Sequence, residues 1–411
     1  MDFGWTPAQE AFRQEVRRYV AEHVTPEVTR ELEEDSSHSS NDPVAIDRRG
    51  RGSRVTELYN KIEGKGWLGM SWPVEYGGQG KDRLSQYIVE EEFARVGVGV
   101  GGAGSGAPAV MAAGTEEQKR EFIPRLLSGE CTFALGFTEP SGGADLASLQ
   151  CRATEDGDYF IVNGQKIFTS AAHAATHIYL MCRTDTDAPQ HRGISILIFP
   201  MDTPGVTVRP LWTIQNDPPA PPGTTYGTPR TNEVFFEDVR VPKTCLLGEK
   251  NMGWYVGAMG LNLDRVGAGR YLMSVQRDED LVNWAKSNSF DGYSLGESEA
   301  IRDRLAELWT EAEVCRLMTM RSMSIMERGG DFTYEGSAEK VWAPEHGVKN
   351  AESVAQMLGP YGQLLNTSPH APLRGIFAHT LLGAFQSGVN HGSVQVMRDQ
   401  VARRGLGLPR G

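Results

Sequence analysis

Two short stretches carry residue types suited to holding a flat ligand with polar edges. Residues 133–149 read FALGFTEPSGGADLASL: an apolar run, then Thr138-Glu139-Pro140, a Ser-Gly-Gly-Ala loop and Asp145. That is the pattern of a buried strand breaking into a turn of small residues, where backbone N–H groups and a hydroxyl can approach a ring. Residues 163–170 read NGQKIFTS. The Asn-Gly pair predicts a tight hairpin turn, and an aromatic and two hydroxyls follow it.

The elements that must position these stretches follow from apolar periodicity, which changes at Phe133. On the N-terminal side, Thr6-Pro7-Ala8-Gln9 is a capping box with proline at the first helical position. Phe12, Val16 and Val20 then recur at helical spacing. Helices are also expected over 58–69 and 86–96, the second with acids at its centre, and a second capping box at Thr115-Glu116-Glu117-Gln118 opens another. Residues 33–54 are polar, Ser-rich and broken by Pro43, so they read as a long exposed loop.

From Phe133 onward short β-rich runs follow at 151–154, 159–162, 165–169, 177–182, 193–199, 206–208 and 234–241. Asp156-Gly157 supplies another hairpin turn. This predicts a small β-domain, sandwich or barrel. Residues 215–231, with Pro218, Pro219, Pro221 and Pro222, read as an irregular loop. Beyond Gly253 the helical period returns at 300–326, 351–358 and 377–404, consistent with a bundle.

Composition sets outer limits. At 411 residues the chain predicts more than one core. A net charge of −12 argues against nucleic acid as a partner. No apolar run is long enough to span a bilayer, and the N-terminus MDFGWTPAQEAFRQEV has no apolar core of a signal peptide. The five cysteines are scattered without metal-ligand spacing, which points to reduced thiols, a cytoplasmic location and no metal site.

Taken together, these stretches resemble the acyl-CoA dehydrogenase family over nearly the whole chain; Trp72-Pro73-Val74-Glu75-Tyr76-Gly77-Gly78 also matches a loop typical of it. The resemblance implies an α+β, mostly α fold: an N-terminal helical domain (1–130), a middle β-sandwich or barrel domain (131–248) and a C-terminal four-helix bundle (249–411). It implies FAD as cofactor and an acyl-CoA thioester as substrate. The flavin ring edge would meet Leu135, the backbone at Phe137, the Thr138 hydroxyl, Phe168, Thr169 and Ser170. Phe168 stands where the family most often has tryptophan, and Ser170 where threonine is common. The rest of the cofactor would fall to Gln356, Gly359, Ser393 and Gln395. Ala144 stands where a serine usually meets the pantetheine. Residues 97–114, rich in glycine and alanine, read either as a close-packed helix contact or, by the resemblance, as the lining of a roomy acyl cavity.

Oxidation of a saturated thioester needs a carboxylate for the α-proton, a hydride acceptor, and donors that polarise the thioester carbonyl. Two positions compete for the base. Most relatives carry a glutamate in a C-terminal Glu-Gly-Thr segment, and here that segment reads Asn390-His391-Gly392-Ser393. His391 takes the glutamate's place, with Gly392 beside it at the thioester. Other relatives, isovaleryl-type and actinobacterial steroid side-chain enzymes among them, place the acid before an arginine on the first C-terminal helix. Here that pair is Asp264 and Arg265, Arg265 then approaching the CoA moiety.

A second departure concerns the FAD diphosphate. Homotetrameric relatives reach it from a neighbouring subunit with Arg-x-x-Phe-Gly and Gln-x-x-Gly-Gly. Here the corresponding residues are Ser287-Asn288-Ser289-Phe290-Asp291 and Gln356-Met357-Leu358-Gly359-Pro360. The arginine is missing. The resemblance to α2β2 steroid side-chain dehydrogenases, with one FAD per pair, then implies a paralogous partner subunit that supplies it, and an electron-transferring flavoprotein as acceptor. A catalytically silent assembly subunit, a flavin oxidase or monooxygenase on the same fold, and a carrier-protein thioester as substrate remain alternatives.

Overall fold

The computed structural model describes residues 4–36, 53–100, 104, 106–213, 231–264, 269–290, 293–330, 333–365, 368–390 and 392–409. In chain order the first helices are α1 (Pro7–His23), α2 (Pro26–Ser36), α3 (Ser53–Gly64), α4 (Arg83–Ala94), α5 (Ala107–Ala113) and α6 (Glu116–Ser128). The later ones are α7 (Gly253–Asp264), α8 (Gly269–Ser287), α9 (Glu299–Glu327), α10 (Glu335–Leu358), α11 (Ile376–Ser387) and α12 (Val394–Gln400). Between them lie strands β1 (Phe133–Gly136), β2 (Arg152–Asp156), β3 (Tyr159–Ser170), β4 (His177–Arg183), β5 (Ile194–Pro200), β6 (Val206–Pro210) and β7 (Thr231–Pro242). Among the described residues no helix is long and apolar enough to cross a membrane.

The chain divides into two compact units, one of Met1–Pro43, Lys81–Val100 and Arg265–Gly411, the other of Val44–Gly80 and Gly101–Asp264. The first is helical. Its α1 begins at the expected capping box: the Thr6 hydroxyl accepts from Gln9 N at 3.3 Å, and the Gln9 side chain accepts from Thr6 N at 3.0 Å. Glu92, one of the acids at the centre of α4, is satisfied from α1, with Arg13 Nε 2.6 Å and Arg17 Nε 2.7 Å from its carboxylate. The expected loop over 33–54 is helical at both ends, through Ser36 and from Ser53, and residues 37–52 lie outside the described part. The expected irregular loop at 215–231 is likewise outside it up to residue 230.

The second unit is built around a seven-stranded sheet in the order β1-β4-β2-β3-β7-β6, with β5 paired to β4. Both β4 and β5 are buried on two sides, and alternate residues serve separate cores. Tyr179, Met181, Ile194, Ile196 and Ile198 pack toward Val110, Phe122, Ile123 and Val256, the helical side. Ile178, Leu180, Cys182, Leu197 and Phe199 pack toward Val162, Val234, Phe236 and Val239 of the sheet itself. Each such side chain contributes about 1.5–3 kcal/mol of burial.

Asp156-Gly157 does open the β2–β3 hairpin, with Asp156 opposite Tyr159. The Asn163-Gly164 pair, in contrast, makes no hairpin. It lies inside the single long strand β3, opposite a bulge in β7: the pairing jumps from Val162↔Val239 to Gly164↔Phe236, two steps on β3 against three on β7. The flanking runs pair with the same neighbour instead of with each other. Asn163 closes the bulge by exchanging two hydrogen bonds with Asp238: Nδ2 donates to Asp238 Oδ1 and Oδ1 accepts from Asp238 N, both at 2.9 Å.

Candidate functional site

The chain leaves β1 at Gly136 and the next three residues are fixed to β3. Lys166 Nζ donates to the Phe137 carbonyl at 3.0 Å and to Glu139 Oε1 at 2.7 Å. Ile167 N donates to the Thr138 carbonyl at 2.9 Å. Glu139 also accepts from Gln150 N at 2.6 Å and Cys151 N at 2.9 Å. Both charged side chains are buried. The Ser-Gly-Gly-Ala loop then projects outward, with Ala144 exposed, while Leu135 is half-buried in β1.

A second bulge lies just beyond. The β3–β7 pairing passes from Lys166↔Val234 to Thr169↔Asn232, three steps on one strand against two on the other. An extra residue re-aims the side chains beyond it. Lys166 and Thr169 therefore both point inward, and Phe168 and Ser170 point outward. Phe168 has φ +56° and leaves 57% of its surface exposed. A left-handed backbone costs a non-glycine residue about 1–2 kcal/mol, and such strain held by its surroundings marks functional positions. Thr169 is fully buried, and its Oγ1 finds no hydrogen-bond partner among the described residues. Of the residues expected at a flavin edge, Phe137, Thr138, Phe168 and Ser170 thus bracket one fixed turn. Thr169 faces the other way.

The residues present fit a flat ring. An aromatic and a hydroxyl share the outer side of a strained strand, beside a turn whose carbonyls are tied off and whose Thr138 side chain is only half-buried. Burial pushes the neighbouring Cys151 thiol up to about 11, with the Lys166 charge working against it, so this thiol is no nucleophile.

In the same unit α7 packs on α5 and β5 and ends at Asp264. Its start is fixed by a knot of polar side chains. The Thr184 hydroxyl donates to Asn251 Oδ1 at 2.6 Å and shares a hydrogen bond with Ser195, whose Oγ accepts from Asn251 N at 2.8 Å. A Cβ on Gly253 would lie 2.6 Å from the Ser195 carbonyl carbon, so only glycine lets the helix begin this close. The Asp264 side chain, Arg265 and His391 lie outside the described part of the structure, as does Asp291.

The other expected cofactor residues belong to the helical unit. Gln356 is exposed in the last turn of α10, and Gly359 N–H donates to its carbonyl. Ser393 is the N-cap of α12 and accepts from Val396 N at 3.3 Å, with Gly392 before it and Gln395 exposed in the first turn. Buried Lys340 of α10 holds the chain just ahead of them, donating to the Ser387 carbonyl and to Asn390 Oδ1. In the segment where an arginine was expected, Ser289 and Phe290 form a short strand paired with Tyr293–Ser294.

Sequence reasoning missed the roles of Lys166, Glu139 and the Thr184–Ser195–Asn251 knot. Nothing in a single sequence separates a buried charge from a solvated one, although Lys166 follows the inward apolar positions Phe160 and Val162 of β3.

Residues 6–130 match the family model for the acyl-CoA dehydrogenase N-terminal domain, 134–222 that for the middle domain and 251–406 that for the C-terminal domain. The chain belongs to the acyl-CoA dehydrogenase family. Acyl-CoA dehydrogenase FadE26 of Mycobacterium tuberculosis is 34% identical over 100% of this chain and 99% of its own. Two solved structures are also similar across 100% of both chains at 32% identity. One, the Tcur3481-Tcur3483 steroid ACAD, has a TM-score of 0.84. The other, the ChsE4-ChsE5 complex of Mycobacterium tuberculosis, has a TM-score of 0.81.

Proposed function

We propose that this chain is one subunit of a heteromeric, FAD-dependent acyl-CoA dehydrogenase. It would introduce an α,β double bond into a bulky acyl-CoA thioester and pass electrons to an electron-transferring flavoprotein. The observation that carries the reading is the fixed turn at Phe137–Glu139 beside outward Phe168 and Ser170. Similarity to the Tcur3481-Tcur3483 steroid ACAD and to the ChsE4-ChsE5 complex supports a bulky substrate and a paralogous partner. The Ser287–Phe290 segment, without arginine, supports the partner independently.

FAD would supply the hydride acceptor. The chain's own residues would do the rest. Thr138 and Ser170 would donate to the ring edge, with Phe168 stacked beside them. Gln356, Gly359, Ser393 and Gln395 would serve the remainder of the cofactor. Asp264, a carboxylate at a helix end, would take the α-proton, and Arg265 would reach the CoA. Backbone N–H groups at His391 and Gly392 would polarise the thioester carbonyl. Asp264 is preferred to His391 because an imidazole beside an apolar acyl chain loses basicity on burial. The segments 1–130, 131–248 and 249–411 would act as its three domains in the cytoplasm.

The test is the visible spectrum and native mass of the chain, purified alone and co-expressed with a paralogous partner, followed by Asp264→Ala in the flavin-bearing form. The expected result is a yellow complex with one FAD per pair, in which Asp264→Ala keeps its flavin and loses turnover by a factor of about 100 or more. A yellow homotetramer would overturn the heteromer. Unchanged turnover would remove Asp264 as the base, and a wild-type complex with no turnover would mark an assembly subunit.

A further inference from the structure

The buried Lys166–Glu139 pair is poorly explained by stability. Taking a carboxylate and an ammonium out of water costs several kcal/mol each, and packed apolar residues often serve a fold as well. The hydrogen bonds of this pair fall on main-chain groups of two separate segments. Lys166 Nζ takes the Phe137 carbonyl at 3.0 Å, and Glu139 takes Gln150 N and Cys151 N at 2.6 and 2.9 Å. Together with the Ile167 N bond to the Thr138 carbonyl, this fixes the turn on one side of the ring position. On the other side, Lys166 is the last residue in register before the bulge that turns Phe168 outward at φ +56°. One ion pair therefore sits at the root of both the ring-edge turn and the strained aromatic.

We infer that Lys166 and Glu139 are positioning residues that set the Phe137–Thr138 turn and Phe168 in the relation a flat isoalloxazine-type ring requires. The inference rests on the flavin reading above. Neither side chain touches the ring in this assignment; each acts through backbone. Losing either charge leaves the other buried and unmatched, and relaxes the turn and the bulge together.

The experiment uses the flavin-binding form of the protein, alone or with its partner. Lys166→Met and the milder Glu139→Gln are compared with Phe236→Ala, a core truncation in the same sheet. For each, the thermal midpoint without flavin, the FAD dissociation constant and the shape of the bound flavin's visible bands are measured. The expected result is a loss of FAD affinity of about tenfold or more in the pair variants, with altered bands. At a matched loss of thermal midpoint, Phe236→Ala should change affinity by less than about twofold.

If Glu139→Gln and Lys166→Met fold and bind FAD within about twofold of wild type, the inference is overturned and the flavin reading stands. If neither variant folds, the pair is structural only and the inference falls. If the wild-type protein binds no FAD in either form, the flavin reading itself fails and takes the inference with it.

Discussion

Gly164 shows how tightly the sheet is built around the candidate site. Its φ is +145°, and a Cβ there would fall 2.8 Å from Cys151 Cα and 2.9 Å from its Cβ. Backbone and a buried neighbour cannot step aside, so Gly164→Ala should lose about 2 kcal/mol or more in urea unfolding. Gly157 also has a positive φ, +56°, but a Cβ there meets nothing within 4 Å. Gly157→Ala should lose only about 1 kcal/mol. The order of the two losses is the test: equal midpoints would mean that the approach of β2 to the bulge is looser than described.

At the scale of elements, the joint between α9 and α10 carries a pH dependence. His346 of α10 is buried, with Nδ1 3.3 Å from Glu311 of α9 and Nε2 without a partner among the described residues. Lys349 bridges the same Glu311 and Glu307. Burial holds the His346 pKa below its ordinary value, and the Glu311 carboxylate only partly opposes this. Burial lowers His177 in β4 in the same way. The unfolded chain therefore binds protons that the folded chain refuses, so stability is present above about pH 6.5 and is lost as pH falls toward the folded values. The thermal midpoint should drop between about pH 7.5 and 5.5, and His346→Gln should remove part of that drop. A drop of the same size in the variant would acquit this histidine.

For the whole molecule, thiol chemistry gives a compact check on how the cores are closed. Cys131, Cys151, Cys182 and Cys315 are buried, and Cys245 is half-buried. Burial raises Cys151 and Cys245, and raises Cys182 further. Native protein at about pH 8 should therefore react with a thiol reagent slowly and chiefly at Cys245, whereas all five thiols react after unfolding. Fast labelling of two or more thiols in the native state would show that a core opens readily. The helical unit adds a second feature at this scale. It takes Met1–Pro43 and Lys81–Val100 together with Arg265–Gly411, so a chain far apart in sequence closes one core.

Local sequence signals determined a good deal of this protein. Two capping boxes set the starts of α1 and α6, because a hydroxyl and an amide three residues apart satisfy each other's backbone donors whatever lies around them. The shift from helical to alternating apolar spacing at Phe133 located the sheet, and the stretches at 133–149 and 163–170 located the family. Tertiary structure alone decided the rest. Asn163-Gly164 has the composition of a hairpin turn and stays inside β3 opposite a bulge of β7, since the outcome depends on which distant strand pairs alongside. Lys166 and Thr169, three residues apart, both face inward, because one extra residue opposite β7 reverses the alternation between them. Glu92 lies among the acids of a helix and is held by Arg13 and Arg17 from another; Glu139 and Lys166 come from separate stretches and lie buried against each other. Periodicity records how a segment meets its own backbone. The partner of a buried charge, and the side to which a bulged strand turns, are set by contacts between segments distant in the chain.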